Sequence, residues 1–212
     1  MPSLIPVTSA RLGEHLPLLE LLADEAPVSW VRGGDGLVGW GIYSKTVVSG
    51  PNRFADARKW WHQQLETFSV SDSVHLSGTG PVLFTSFSFD QDEESVLVIP
   101  KIVVGMRNGS SWITWIGDQP QPALQETKQL LEDAEFNWGD GSLSPAEWQL
   151  RVAEAINEIE KTDLEKVVLA RDLRINSHRA IDPRKILRNL SAEYPSTWIF
   201  AVDGLVGATP EL

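Results

Sequence analysis

Cysteine is absent from all 212 residues. Disulfides, thiolate metal sites and a cysteine nucleophile are therefore excluded. Positive charge is also in short supply, with 18 Lys and Arg against 29 Asp and Glu and a net charge of −11. That balance argues against a nucleic-acid surface, where basic side chains supply most of the affinity. It argues equally against an anionic membrane as partner. An anionic small substrate stays open, because one local cationic pocket fits on an acidic protein. No apolar run is long enough to cross a bilayer. The opening Met1-Pro2-Ser3-Leu4-Ile5-Pro6 has no basic region followed by a long apolar stretch, so no signal peptide is read and a cytoplasmic protein is expected.

The glycine clusters lack the context of nucleotide loops. Gly33-Gly34-Asp35-Gly36 joins two strand-like segments and has no following lysine. Gly78-Thr79-Gly80-Pro81 precedes strands, so it is no dinucleotide fingerprint. What is present is ordinary for a globular chain: 42% hydrophobic and 22% charged residues. The length allows one large domain or two small ones with a sizeable core. Nine tryptophans are many for this length. They read as core and sheet packing, since a base-stacking platform needs basic interleaving that is missing.

The spacing predicts a strand-rich first part, residues 1–117. Residues 1–12 read as a lead-in or a first edge strand, and His15 to Ala23 as a leucine-rich helix. Val28–Val31 and Leu37–Val48 form a hairpin around the glycine turn. Asn52 is a plausible N-cap for a helix over 53–68, with Phe54, Ala57, Trp61 and Leu65 on one face and His62 in solvent. Val82–Phe89, Val96–Ile99, Ile102–Met106 and Trp112–Ile116 read as strands, with Asn108-Gly109 as a hairpin turn. Asp90–Glu94 reads as a solvated acidic loop. Residues 118–142 are a polar surface excursion, with a helical turn or two over Ala123–Leu131.

Residues 143–212 carry the clearest signals. Ser144-Pro145-Ala146-Glu147 is a capping box with proline at the first helical position. Trp148, Val152, Ala155, Ile156 and Ile159 then form one apolar stripe, expected to pack against the sheet containing Lys166. Glu165-Lys166-Val167-Val168-Leu169-Ala170-Arg171 reads as a strand reaching residue 173, with Lys166, Val168 and Ala170 on one face. A lysine buried there would lose some of its preference for charge and approach the range of a base. A lysine at a wet strand end with its head in water is the commoner arrangement. His178 falls in a polar loop. Asp182-Pro183 starts a helix with Ile186, Leu187 and Leu190 inward, ended by Pro195. Thr197–Val202, the turn Asp203-Gly204 and Leu205–Leu212 form a final hairpin.

One chemical pairing stands out: the amine of Lys166 and the carboxyl of Glu211, each at the end of a strand, available as base and acid. The small residues of Gly207-Ala208-Thr209-Pro210 let a ligand approach the backbone. By spacing alone any two strands supply such a pair. At these residues the sequence resembles the chorismate-utilising enzymes: isochorismate synthase, anthranilate synthase component I, aminodeoxychorismate synthase component I and salicylate synthase. Glu165–Arg171 and Gly207–Leu212 look like two signature stretches of that family, in the right order. Gly36–Gly41 and Gly50–Phe54 look like the isochorismate synthase branch.

The resemblance implies an α+β fold of layered, mostly antiparallel sheets with outer helices and the active site between them. It implies that Lys166 is the general base on a water attacking C2 of chorismate, and that Glu211 is the general acid on the hydroxyl leaving C4. It implies that Mg2+ is required. The lysine would have to be neutral and the glutamate protonated, against ordinary pKa values of about 10.4 and about 4.3. Lysine at position 166 disfavours the anthranilate synthase branch, whose members carry glutamine there. It leaves aminodeoxychorismate synthase, salicylate synthase and a catalytically inert domain as alternatives. The product would feed menaquinone or siderophore synthesis. The family's catalytic domain is about twice as long, so the chain is expected to be a truncated, amino-terminal portion, inactive alone, with the Mg2+ ligands beyond residue 212. Exposed sheet edges would then favour self-association.

Overall fold

The structure, a computed structural model, describes residues 3–13, 16–24, 26–124, 130 and 135–211. In chain order its elements are β1 (Ile5–Leu12), a 3-10 turn (Leu18–Leu21), β2 (Val28–Arg32), β3 (Asp35–Val48), α1 (Arg53–Leu65), β4 (Phe68–Asp72), β5 (Phe84–Ser86), β6 (Ser95–Arg107), β7 (Ser110–Ile116), β8 (Phe136–Asp140), α2 (Pro145–Lys161), β9 (Leu173–Ser177), α3 (Pro183–Glu193), β10 (Trp198–Val202) and β11 (Leu205–Thr209). Contacts divide them into two compact units, one of residues 1–130 with 182–212 and one of residues 131–181. The expected fold class, α+β with a mostly antiparallel sheet and helices outside it, is what the chain adopts. No described helix is long and apolar enough to cross a membrane.

The first unit is built on a nine-stranded sheet, ordered β11-β10-β2-β3-β6-β7-β1-β4, with β5 also paired to β6. Among the described residues of this sheet, β1 with β4 is the one parallel pairing. The turns are the ones the sequence demands. Asn108 and Gly109 take φ of 50° and 77°, and Asp203 and Gly204 take 50° and 87°. Left-handed conformations at both turn positions match the twist of two-residue hairpins. β1 lies inside the sheet between β7 and β4, rather than at an edge. β6 is one strand where two were expected. Pro100 has no N–H for a ladder, yet it pairs with Ile42 beside the bulge at Ile42–Ser44 of β3, where regular bonding is already broken. The strand expected over Val82–Phe89 is ordered only as Phe84–Ser86.

The main core forms where α3 and the 3-10 turn cover the sheet: Leu18, Leu21, Leu22, Val38, Val104, Ile113, Leu187 and Ile199 are all buried. The helix expected over His15–Ala23 is reduced to that 3-10 turn, and His15 lies outside the described residues. Its leucines satisfy burial without helical periodicity. A second cluster joins Val7, Phe68, Ile99 and Ile116 to Trp60, Trp61 and Leu65 of α1. Phe54 of that helix is 57% exposed, contrary to the stripe. Trp112 points to the opposite side from Ile113 and donates Nε1–H to the Gly78 carbonyl at 3.1 Å. Buried Ser9 Oγ meets Thr114 Oγ1 at 2.7 Å and accepts from the Gly80 amide at 2.9 Å.

The second unit pairs β8 and β9 antiparallel, with Asp140 opposite Leu173 as the last pair. α2 has the full capping box: the Glu147 amide donates to Ser144 Oγ at 3.3 Å and the Ser144 amide to Glu147 Oε2 at 2.9 Å. None of the described residues of this unit is buried. The apolar stripe of α2, expected to be packed on a sheet, has no buried member: Trp148, Val152, Ala155 and Ile159 are half-buried and Ile156 is 52% exposed. The helical turns expected over Ala123–Leu131 fall largely outside the described residues.

Candidate active site

Lys166 is exposed and lies outside any strand, because Glu165–Asp172 has no regular secondary structure. The strand expected over 166–173 begins only at Leu173. The last ladder pair is Asp140 with Leu173. Just beyond it, Ser142 donates to the Asp172 carboxylate, from N at 2.8 Å and from Oγ at 2.6 Å. Val168 is 80% exposed, so burial beside the lysine is absent as well. Two contacts were hidden in the sequence: Arg171 Nη2 donates to Asp140 Oδ1 at 3.3 Å, and Asp172 bonds Ser142. Their only signal was the Gly-Asp-Gly-Ser run at 139–142.

Glu211 follows β11, the outermost strand on its side of the sheet. It is exposed, and its amide donates to Thr209 Oγ1 at 3.2 Å. Gly207 is required in that strand, because a Cβ there would sit 2.5 Å from the ring of Phe200 on β10. Phe200 in turn meets Trp30 at 5.9 Å, and Trp30 stacks on Trp198 at 5.3 Å with Arg32 above it. The hairpin approaching Glu211 is thus held on one side by an aromatic ladder. Lys166 belongs to the second compact unit and Glu211 to the first, so neither unit by itself holds both groups.

A cavity of about 300 Å³ in the first unit is lined by Leu16, Leu19, Glu20, Met106 and Arg188 among others. Neither Lys166 nor Glu211 lines it. Its charges are matched internally, Arg188 Nη2 lying 2.8 Å from Glu20 Oε2. Among the described residues no three His, Asp or Glu side chains are placed to hold a metal ion. The described donor set does not fit a Mg2+ site.

A profile of the family described as chorismate binding enzyme matches residues 29–212. The chain belongs to the chorismate binding enzyme family. Its relatives include the isochorismate synthase MenF of Bacillus subtilis, 25% identical over 199 residues, covering 79% of this chain and 42% of that protein. The fold matches MenF of Escherichia coli, solved as a menaquinone-specific isochorismate synthase, with a TM-score of 0.63, 16% identity and coverage of 98% of this chain and 50% of that one. It also matches DhbC of Bacillus anthracis with a TM-score of 0.59, 20% identity and coverage of 92% and 46%. The chain spans about half the length of these relatives. These two solved structures thus share the fold of this chain.

Proposed function

We propose that the polypeptide containing these 212 residues converts chorismate to isochorismate. Lys166 takes a proton from a water that bonds to C2 of chorismate. Both ring double bonds shift by one position, C1=C2 to C1=C6 and C5=C6 to C4=C5, and the C4 hydroxyl leaves as water with a proton from Glu211. One water is consumed and one released, so the product is an isomer. The observation that carries this reading is the family match over 29–212, which takes in both Lys166 and Glu211 in the stretches where the resemblance places base and acid. The 25% identity to the Bacillus subtilis isochorismate synthase supports the branch. Lys166 and Glu211 are exposed here, so their action as base and acid requires a covering whose desolvation disfavours the charged form of each.

The test is product identification. The chain, and the protein read from its gene in the same frame, are incubated with chorismate, Mg2+ and ammonium. An isomer of unchanged mass supports the proposal. An amino product assigns the aminodeoxychorismate reaction instead, and release of pyruvate with an aromatic acid assigns salicylate formation. Absence of any product from either protein overturns the enzymatic reading.

A further inference from the structure

Lys166 lies in a run without regular structure, residues 164–172, bracketed by two sets of contacts. At its front, the Thr162 amide and Oγ1 both donate to the Glu158 carbonyl, at 3.1 and 2.8 Å, and Thr162 Oγ1 accepts from the Leu164 amide at 3.2 Å. At its back, Asp172 Oδ1 accepts from the Ser142 amide at 2.8 Å and from Ser142 Oγ at 2.6 Å, while Oδ2 lies 3.0 Å from the same amide. Arg171 reaches Asp140 at 3.3 Å. Gly141 makes this closeness feasible: a Cβ there would fall 2.3 Å from Asp172 Cγ and 2.4 Å from its backbone oxygen and Oδ1. All these groups lie within one compact unit.

The register shows what the contact prevents. Asp140 pairs with Leu173, so a continued ladder would set Gly141 against Asp172, Ser142 against Arg171 and Leu143 against Ala170. Val167, Val168 and Leu169 have strand propensity that favours such growth. Each added pair would draw the lysine-bearing run further into a hairpin. The Asp172 carboxylate instead holds Ser142, the residue a continued ladder would set against Arg171, by both its amide and its hydroxyl.

We propose that Asp172, seated on Ser142 and Gly141, is a positioning residue: it stops the β8–β9 ladder and fixes the end of the run that presents Lys166. This rests on the reading of Lys166 as the base. The carboxylate is held below the usual aspartate range, first by the Ser142 hydroxyl and then by the Ser142 amide, so it is ionised and an acceptor at neutral pH.

Backbone order parameters of the 212-residue chain, measured by NMR, test the clamp apart from the chemistry. In Asp172→Ala and Gly141→Ala, amides 165–171 are expected either to fall below about 0.6, as in flexible chain, or to show strand shifts from a lengthened ladder. The amides of β6 and β7 should stay as in the unaltered chain, which reports that the fold survives. Asp172→Asn keeps one oxygen acceptor for Ser142 and should restore most of the order. Unaltered order and shifts in Asp172→Ala, or an unaltered chain whose run is already flexible, overturn the proposal. Turnover by Lys166→Ala is a separate readout: full activity there removes the base assignment while leaving the clamp intact.

Discussion

Gly105 and Trp112 are directly opposite each other on β6 and β7. The indole lies over the glycine so closely that a Cβ at 105 would stand 2.2 Å from Cζ2, 2.3 Å from Cε2 and 2.8 Å from Leu37 Cδ2. Trp112 is 1% exposed, so the ring has little room to retreat. Overpacking of this kind destabilises by about 1–3 kcal/mol. A displaced ring also loses its bond to Gly78, worth about 1 kcal/mol. Gly105→Ala should therefore destabilise the first unit by about 2–4 kcal/mol. At about 3 °C per kcal/mol for a chain of this size, its melting midpoint should fall by roughly 6–12 °C. Urea and thermal unfolding followed by far-ultraviolet circular dichroism measure this without depending on tryptophan emission. The decisive arm is a double-mutant cycle with Trp112→Ala. Once the ring is gone, the added methyl should change stability by less than about 1 kcal/mol, a coupling of neighbours. Additive effects would refute the assignment of the cost to the ring.

Other outcomes follow from the same packing. Leu187 of α3 is 0% exposed in the main core, and Leu187→Ala should destabilise by about 2–5 kcal/mol in urea unfolding, against under about 0.5 kcal/mol for exposed Ile186→Ala. Glu147 is held below its ordinary pKa by hydrogen bonds from Ser144, and Asp172 by those from Ser142. Their native pKa values lie below the unfolded ones, so their stabilisation is complete above about pH 4–5 and is lost as pH falls through the native values. Acid titration of amide exchange in β8–α2 should show that loss, and Ser142→Ala should move the midpoint upward; an unmoved midpoint contradicts it. Among the described strands, β4 and β11 each have a single neighbour in the sheet, so self-association is expected at high concentration. Sedimentation of a monomer throughout would contradict it.

Local chemistry was the most legible part of the sequence. The Asn108-Gly109 and Asp203-Gly204 turns, the capping box at Ser144 and the helix start at Asp182-Pro183 each rest on residues whose own conformation or side chain decides the outcome. Features set by distant partners were harder to read. β4 is a short Phe-Ser-Val-Ser-Asp run that becomes a strand only because β1 pairs with it in parallel. Pro100 reads as a break until the bulge in β3 is seen opposite it. The lysine-bearing stretch has strand composition, but the ladder beside it ends at Leu173, and the Asp172 before it is held by Ser142, thirty residues earlier in the chain. Lys166 and Glu211 stood out as an amine and a carboxyl at expected strand ends, but only the family resemblance gave each a role. Neither stands in a buried pocket whose polar residues periodicity could have found.

The reaction itself is tested most directly with water carrying heavy oxygen. The protein read from the gene in this frame is incubated with chorismate in that water, and the product is analysed by mass spectrometry with fragmentation. Attack of water at C2 predicts isochorismate with the heavy oxygen in its C2 hydroxyl, and no product from Lys166→Ala. Unlabelled isochorismate, or labelled isochorismate formed undiminished by Lys166→Ala, would contradict a water activated by that lysine.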